Sequence, residues 1–203
     1  MTAFFQVNPE LPEVDFLLGS KSPRRRELLS MLDIDAEIVH IGADEEFPSD
    51  LTLRDVAQYL AEKKSNAYGG DLTGKILITS DTTVLLEDQI LNKPQDMNEA
   101  KAMLRELSGK NHFVNTGVCL RTASGISSFS DLTIVTFKEL SESEIDYYVN
   151  TYKPFDKAGG YGIQEWIGAA GVVGIEGCYY NVMGLPTQKL YSELCDFIRR
   201  YFQ

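Results

Sequence analysis

The chain has 203 residues, enough to bury a substantial core in one domain or in two closely joined lobes. Hydrophobic residues at 43% and charged residues at 24% argue against disorder. A formal net charge of −11 argues against broad nucleic-acid or anionic-membrane binding, and makes any local cationic cluster informative.

Residues 1–14, with Pro9 and Pro12, read as a loosely held N-terminal arm. A short strand over Asp15–Leu18 leads into Gly19-Ser20-Lys21-Ser22-Pro23-Arg24-Arg25-Arg26, the start of a helix predicted to run to Leu32. Pro23 suits a first helical position, and Ser22 is placed to cap it. Free N–H groups, a positive dipole end, serine hydroxyls and guanidiniums together suit a multiply charged anion. An ordinary helix start with solvated arginines has the same local pattern.

A second strand is expected over Ala36–His40, followed by the acidic loop Gly42–Pro48. Thr52 with Asp55 resembles a capping box for a helix carrying Leu53, Val56, Leu60 and Ala67 on one face. Lys63 and Lys64 fall late on that helix, where cations suit the dipole in any case. The apolar run Ile76–Ser80 ends in Asp81-Thr82-Thr83, so Asp81 is expected at the end of a buried strand. That position suits a catalytic carboxylate, and also one that merely bonds nearby amides.

After Leu91-Asn92-Lys93-Pro94, a helix capped by Asp96 and Glu99 carries Ala100, Met103, Leu104 and Leu107, and exits at Ser108-Gly109. Phe113–Arg121 and Ile126–Lys138 read as a long hairpin, and Ser141 with Glu144 starts another helix through Ile145, Tyr148 and Val149. The Gly-rich loop Lys153–Gln164 can bring backbone amides and Lys157 to a ligand. Trp166–Ile175 and Cys178–Met183 read as two further strands, and an amphipathic helix follows Gly184-Leu185-Pro186.

Cys119, Cys178 and Cys195 are odd in number and widely spaced, which argues against a disulfide framework or a zinc site. His40 and His112 give a histidine-based site little to draw on. With no secretory signal pattern at the N-terminus and no apolar run of membrane-spanning length, a cytoplasmic location is expected.

The inventory is consistent with phosphoanhydride chemistry. Arg24, Arg25, Lys64, Lys93 and Lys157 are cations for a polyphosphate, while Glu45, Asp81 and Asp156 are carboxylates for a divalent metal or a water. Absence of a G-x-x-x-x-G-K-[ST] sequence excludes a P-loop.

Ser20-x-Ser22-Pro23-Arg24-Arg25-x-Glu27-Leu28-Leu29, Ser80-Asp81-Thr82-x-Val84, Leu91-x-Lys93-Pro94, Leu107-Ser108-Gly109 and Thr116-Gly117-Val118 resemble the Maf family of nucleoside triphosphate pyrophosphatases. Asp156-Lys157-Ala158-Gly159-x-Tyr161-Gly162-Ile163-Gln164 and Asn181-Val182-x-Gly184-Leu185-Pro186 complete the series in the family's order, over roughly residues 15 to 200. The resemblance implies an elongated mixed α/β sheet flanked by helices, with two lobes around a cleft, similar to the inosine triphosphate pyrophosphatases. Residues 15–203 would then be a single two-lobed domain.

The resemblance further implies hydrolysis of the α–β phosphoanhydride to a nucleoside monophosphate and pyrophosphate, with Mg²⁺ or Mn²⁺. Asp81 matches the family's proton acceptor and a metal position, and Glu45 a further metal position; Ser20, Arg24, Lys64 and Lys93 match phosphate-handling positions. Arg25, Thr82 and Gln164 match the branch acting on dTTP and UTP, extending to modified pyrimidine nucleotides, and a glutamine amide can pair with a pyrimidine edge. A 7-methyl-GTP pyrophosphatase and a nucleotide-binding cell-division regulator of slow turnover are the alternatives. The expected partner is the nucleoside triphosphate, with no nucleic acid and no membrane, and the family leaves a homodimer open. Gly19, Ser80 and Glu165 depart from the family pattern, the last placing a carboxylate beside the expected base pocket.

Overall fold

A computed structural model describes residues 3–202. In chain order its elements are α1 (Ala3–Val7), β1 (Asp15–Leu18), α2 (Pro23–Ser30), β2 (Ala36–Ile38), α3 (Val56–Ala67), β3 (Lys75–Leu86) and β4 (Gln89–Leu91). There follow α4 (Met97–Leu107), β5 (Asn111–Arg121), β6 (Ile126–Phe137), α5 (Glu142–Tyr152), α6 (Trp166–Gly171), β7 (Val172–Glu176), α7 (Tyr179–Met183) and α8 (Thr187–Tyr201). The seven strands make one sheet of order β2-β1-β3-β5-β6-β7, with β4 paired to β3. β1 is parallel to β2 and β3, whereas β4 and β7 run antiparallel to β3 and β6. This is the mixed α/β architecture expected from the sequence.

The chain divides into two compact units. One comprises the chain through Asp81, Thr116–Asp131 and the chain from Gly184 onward; the other comprises Thr82–Asn115 and Leu132–Met183. In the first unit, β1 pairs in parallel with β3 from Asp15–Lys75 to Leu18–Ile78, and Leu17, Leu72 and Leu77 are buried together. α3 lies very close to β5. A Cβ at Gly117 would stand 2.3 Å from the backbone of Ala57 and Gln58, so only glycine permits this approach. The Thr79 hydroxyl donates to the Ala61 carbonyl at 2.7 Å and fixes the same helix against β3.

The N-terminal segment is not the loose arm expected from its prolines. Phe4 and Phe5 are buried, Phe4 in edge contacts with Phe16 and Tyr191 and Phe5 stacked on Phe16. The Asn8 amide donates to the Phe4 carbonyl and the Tyr191 hydroxyl, each at 2.8 Å. Paired aromatics bury enough area to hold a short segment.

The second unit packs α4 and α5 through Leu104, Leu107, Ile145, Tyr148 and Val149 around Phe137 and Tyr161. Both helices carry the expected caps: Asp96 accepts from the Asn98 and Glu99 N–H groups, and Ser141 with Glu144 forms a full capping box. His112 is fully buried in this core, its Nε2 2.6 Å from the Tyr161 hydroxyl and its Nδ1 without a hydrogen-bond partner among the described residues. Burial pushes its pKa down to about 4.

Four local expectations are corrected. Trp166–Gly171 is helical rather than extended: its Ile-Gly-Ala-Ala-Gly run lacks β-branched residues after Ile167, and Gly168 sits where a Cβ would be 1.8 Å from the Ile163 carbonyl oxygen. The strand begins only at Val172, and the segment after Gly177 turns into α7 because Asn181 bonds the Val114 carbonyl and the Thr133 hydroxyl. Ser22 stands at the N-cap of α2 without a side-chain cap bond, and that helix stops at Ser30. α3 starts at Val56 with Asp55 as N-cap, and the Thr52 hydroxyl bonds the Asp55 carboxylate instead of capping. The three cysteines are free thiols, Cys119 and Cys195 buried and Cys178 half-buried.

Gly117→Ala is expected to destabilise the protein by at least about 2 kcal/mol in urea unfolding, because α3 must move off β5. His112 has its pKa lowered on folding, so its contribution is complete above pH 6.5 and is lost as pH falls through about 4. Up to about 3 kcal/mol of stability should disappear across that window in pH-dependent denaturation, and His112→Phe should flatten the slope.

Candidate active site

In the first unit, six of the residues singled out in the sequence fall into one electrostatic cluster: Ser20, Arg24, Arg25, Glu45, Lys64 and Asp81. Asp81 is buried, and it lies inside β3 rather than at its end. The strand is continuous because Val84–Leu86 carry it on against β4, so the polar Ser-Asp-Thr-Thr segment interrupts the apolar pattern without breaking the backbone. Parallel pairing with β1 ends at Ile78 and pairing with β4 begins at Val84, which leaves Asp81 in the interval between the two ladders.

A buried carboxylate needs a partner. Lys64, from the last turn of α3, supplies it through a hydrogen-bonded ion pair with Asp81 Oδ1. The same ammonium lies 3.4 Å from Glu45 Oε1. Glu45 is exposed, and the acidic loop that carries it is strapped to α3 by Lys63, which pairs with Asp44 and donates to the Glu46 carbonyl at 2.7 Å. Hydrogen bonds from Lys63 and from the Glu46 N–H hold the Asp44 carboxyl below its usual range. Lys63 and Lys64, side by side on the helix, thus serve neighbouring carboxylates.

Ser20 accepts from the Ser22 N–H at 3.2 Å and from Arg25 Nη1 at 3.3 Å. The serine pair closes the turn into α2 by this bond instead of by a conventional cap. Arg25 Nε donates to the Gly184 carbonyl at 2.8 Å, and the Ser80 hydroxyl donates to the same oxygen at 3.4 Å. Gly184 has φ 118°, a conformation that favours glycine, which explains the residue at this junction before α8. Burial lowers the Arg25 pKa from its ordinary value; Asp81 and Glu45 oppose that shift and Arg24 adds to it. Arg26 is exposed.

The second unit holds Thr82, Lys93, Lys157 and Gln164. Thr82 is half-buried on β3, and Lys93 is exposed between β4 and α4. The Gly-rich loop is stitched to that connection by the Gly159 N–H, which donates to the Asn92 carbonyl at 3.1 Å. Gly159 has φ 70°, and a Cβ there would press on Val84 at 3.0 Å, so glycine is required on both counts. Lys157 is nearly buried, with its ammonium 2.7 Å from Asp156 and 3.1 Å from Glu165.

The other Glu165 oxygen accepts the Tyr148 hydroxyl hydrogen, and that hydroxyl accepts the Gly162 N–H at 3.0 Å. Burial, reinforced by Glu165, pushes the Tyr148 pKa up, so the phenol stays protonated. The departure at Glu165 therefore does not present a bare carboxylate to a ligand. Tyr148 was legible only as a core position on its helix face; nothing in the spacing marks its hydroxyl. Gln164 is exposed and lines a groove of about 450 Å³ with Glu165, Val172–Ile175 and Tyr179.

No group of three or more His, Cys, Asp or Glu side chains among the described residues could hold a metal ion alone. Asp81 and Glu45 nonetheless converge on one cation, and oxygen donors of this kind suit a hard divalent ion whose remaining ligands come from a substrate's phosphates.

Known proteins resemble this chain over most of its length. The family described as Maf-like protein matches residues 15–197. A dTTP/UTP pyrophosphatase of Phocaeicola vulgatus is 50% identical over 186 residues, spanning 91% of this chain and 96% of the relative. The protein of the same name from Bacteroides thetaiotaomicron is 48% identical over 186 residues, with 91% and 96% covered. That of Flavobacterium johnsoniae is 43% identical over 193 residues, covering 95% of this chain and 100% of the relative.

Proposed function

The chain belongs to the Maf family, and on that premise we propose that it hydrolyses dTTP and UTP, and modified pyrimidine triphosphates, to the monophosphate and pyrophosphate. The observation that carries the reading is Asp81: a buried carboxylate inside a sheet strand, held by Lys64, which also meets Glu45. Names and near-complete coverage of the relatives support the pyrimidine branch over the 7-methyl-GTP branch.

In this mechanism Ser20, Arg24, Lys64, Lys93 and Lys157 are the groups assigned to phosphate oxygens. Cationic donors fixed before the substrate arrives stabilise charge that develops on the leaving pyrophosphate. Asp81 accepts the proton of the water whose oxygen attacks the α-phosphorus, and the α–β bridging bond breaks as that P–O bond forms. Asp81 and Glu45 would hold Mg²⁺ or Mn²⁺ together with the substrate's phosphates, an ion that supplies charge neutralisation when bound.

Base preference is assigned to Arg25, Thr82 and Gln164. Arg25 is already oriented by Gly184 and Ser20, which supports a shaping role rather than a mobile one. Gln164 lies in a mostly apolar groove, and an amide offers both donor and acceptor to a pyrimidine edge. A cytoplasmic setting is supported by the three free thiols, which a reducing compartment keeps reduced.

Purified protein with Mg²⁺ or Mn²⁺, assayed across a nucleotide panel, should release pyrophosphate from dTTP and UTP in preference to purine triphosphates. Release of orthophosphate instead would overturn the reaction. Asp81→Asn should retain the fold by circular dichroism and lose at least about a hundredfold in kcat; full turnover would remove Asp81 as the base. Gln164→Ala should change the ratio of kcat/KM between UTP and competing bases by about tenfold while the products stay the same.

A further inference from the structure

Glu45 stands between two neighbours that share one cation. Lys63 pairs with the Asp44 carboxylate and donates to the Glu46 carbonyl at 2.7 Å. The same Asp44 oxygen accepts the Glu46 N–H at 2.8 Å, so the turn is closed on itself and tied to α3 on both sides of Glu45. Lys64, the next residue of the helix, meets the Glu45 side chain. Consecutive helical residues project about 100° apart, so one turn of α3 grips the loop with one lysine and faces its carboxylate with the other.

We propose that Lys63 is a positioning residue for Glu45, fixing the loop so that this carboxylate faces Lys64 beside Asp81. The inference rests on the reading of Glu45 as a metal ligand. An exposed carboxylate on an untethered loop samples many directions, and a metal that recruits it must bear the entropy of ordering the chain. Bonds converging on residues 44 and 46 meet that cost at folding. An exposed ion pair alone is worth little. Here the ammonium also takes a backbone carbonyl, so its loss releases main chain as well as a side chain.

Net charge alone predicts the opposite sign. Removing a cation from an acidic loop makes the neighbourhood more attractive to a divalent ion. The direction of the effect on metal affinity therefore separates positioning from simple electrostatics.

The test measures Mn²⁺ binding to the purified protein by electron paramagnetic resonance of the unbound ion. Lys63→Met should weaken binding about tenfold, whereas Lys63→Arg, which keeps donors for both loop oxygens, should stay within about twofold of wild type. Glu45→Gln should weaken it at least as far, and Lys63→Met should add nothing in that background. In turnover of UTP, Lys63→Met should raise the Mn²⁺ concentration at half-maximal rate by a similar factor and leave kcat at saturating Mn²⁺ within about twofold. Without metal, a glutamyl endopeptidase should cut after Glu45 and Glu46 about fivefold faster in Lys63→Met than in wild type.

If Glu45→Gln weakens Mn²⁺ binding and Lys63→Met does not, the proposal is overturned and the metal reading of Glu45 stands. A loss that persists in the Glu45→Gln background, or an unchanged rate of cleavage, would overturn it too. Should Lys63→Met lose its thermal transition, Asp44→Asn, which keeps an oxygen for the Glu46 N–H, decides by the same coupling to Glu45→Gln. If Glu45→Gln leaves Mn²⁺ binding unchanged, the metal reading falls, and faster cleavage in Lys63→Met leaves its hold on Glu45 standing.

Discussion

A charged carboxylate inside a buried strand is the constraint from which the first unit follows. Asp81 lies on β3, ten of whose twelve residues are buried, and the free-energy cost of leaving its charge uncompensated is several kcal/mol. Lys64 removes that cost only if α3 lies close enough to deliver it. Gly117 allows the helix backbone to approach β5 at a distance no other residue tolerates, and Thr79 bonds its carbonyl at Ala61. The glycine of the Thr-Gly-Val segment thus serves the acidic site at one remove. Its part is to set a helix height.

The second unit repeats the device with different parts. Lys157, like Lys64, is held between a more sheltered and an exposed carboxylate: Glu165 and Asp156 in one case, Asp81 and Glu45 in the other. Each ammonium is compensated in the absence of ligand, so neither is a free charge in a chain whose net charge is already −11. This gives a protein of acidic composition a way to keep lysines ordered.

Much of this was legible in the sequence because its signals are local. The caps of α4 and α5, the hairpin of β5 and β6 and the amphipathic α8 are all set by neighbouring residues, and they occur where the pattern places them. The resemblance likewise picked out residues that the first unit gathers around Asp81. Tertiary context decided the rest. Trp166–Gly171 carries enough apolar character for a strand, but its small residues close a helix against the Ile163 carbonyl. Asp81 looked terminal because polarity interrupts the run, yet continued pairing with β4 keeps the strand going. The Tyr148 hydroxyl could not be anticipated, since a helix-face tyrosine reads the same whether or not its oxygen meets a carboxylate.

The Gly184 carbonyl has a consequence for how the protein is made. It receives Arg25 across 159 residues of sequence and Ser80 across 104. On a ribosome adding about 5–20 residues per second, Arg25 emerges roughly 10–30 s before its acceptor exists. The α2 turn must therefore wait, its guanidinium hydrated, until the segment before α8 is synthesised. The nascent chain cannot finish its arginine-bearing turn until Gly184 has left the tunnel, long after Pro23–Ser30 have themselves emerged.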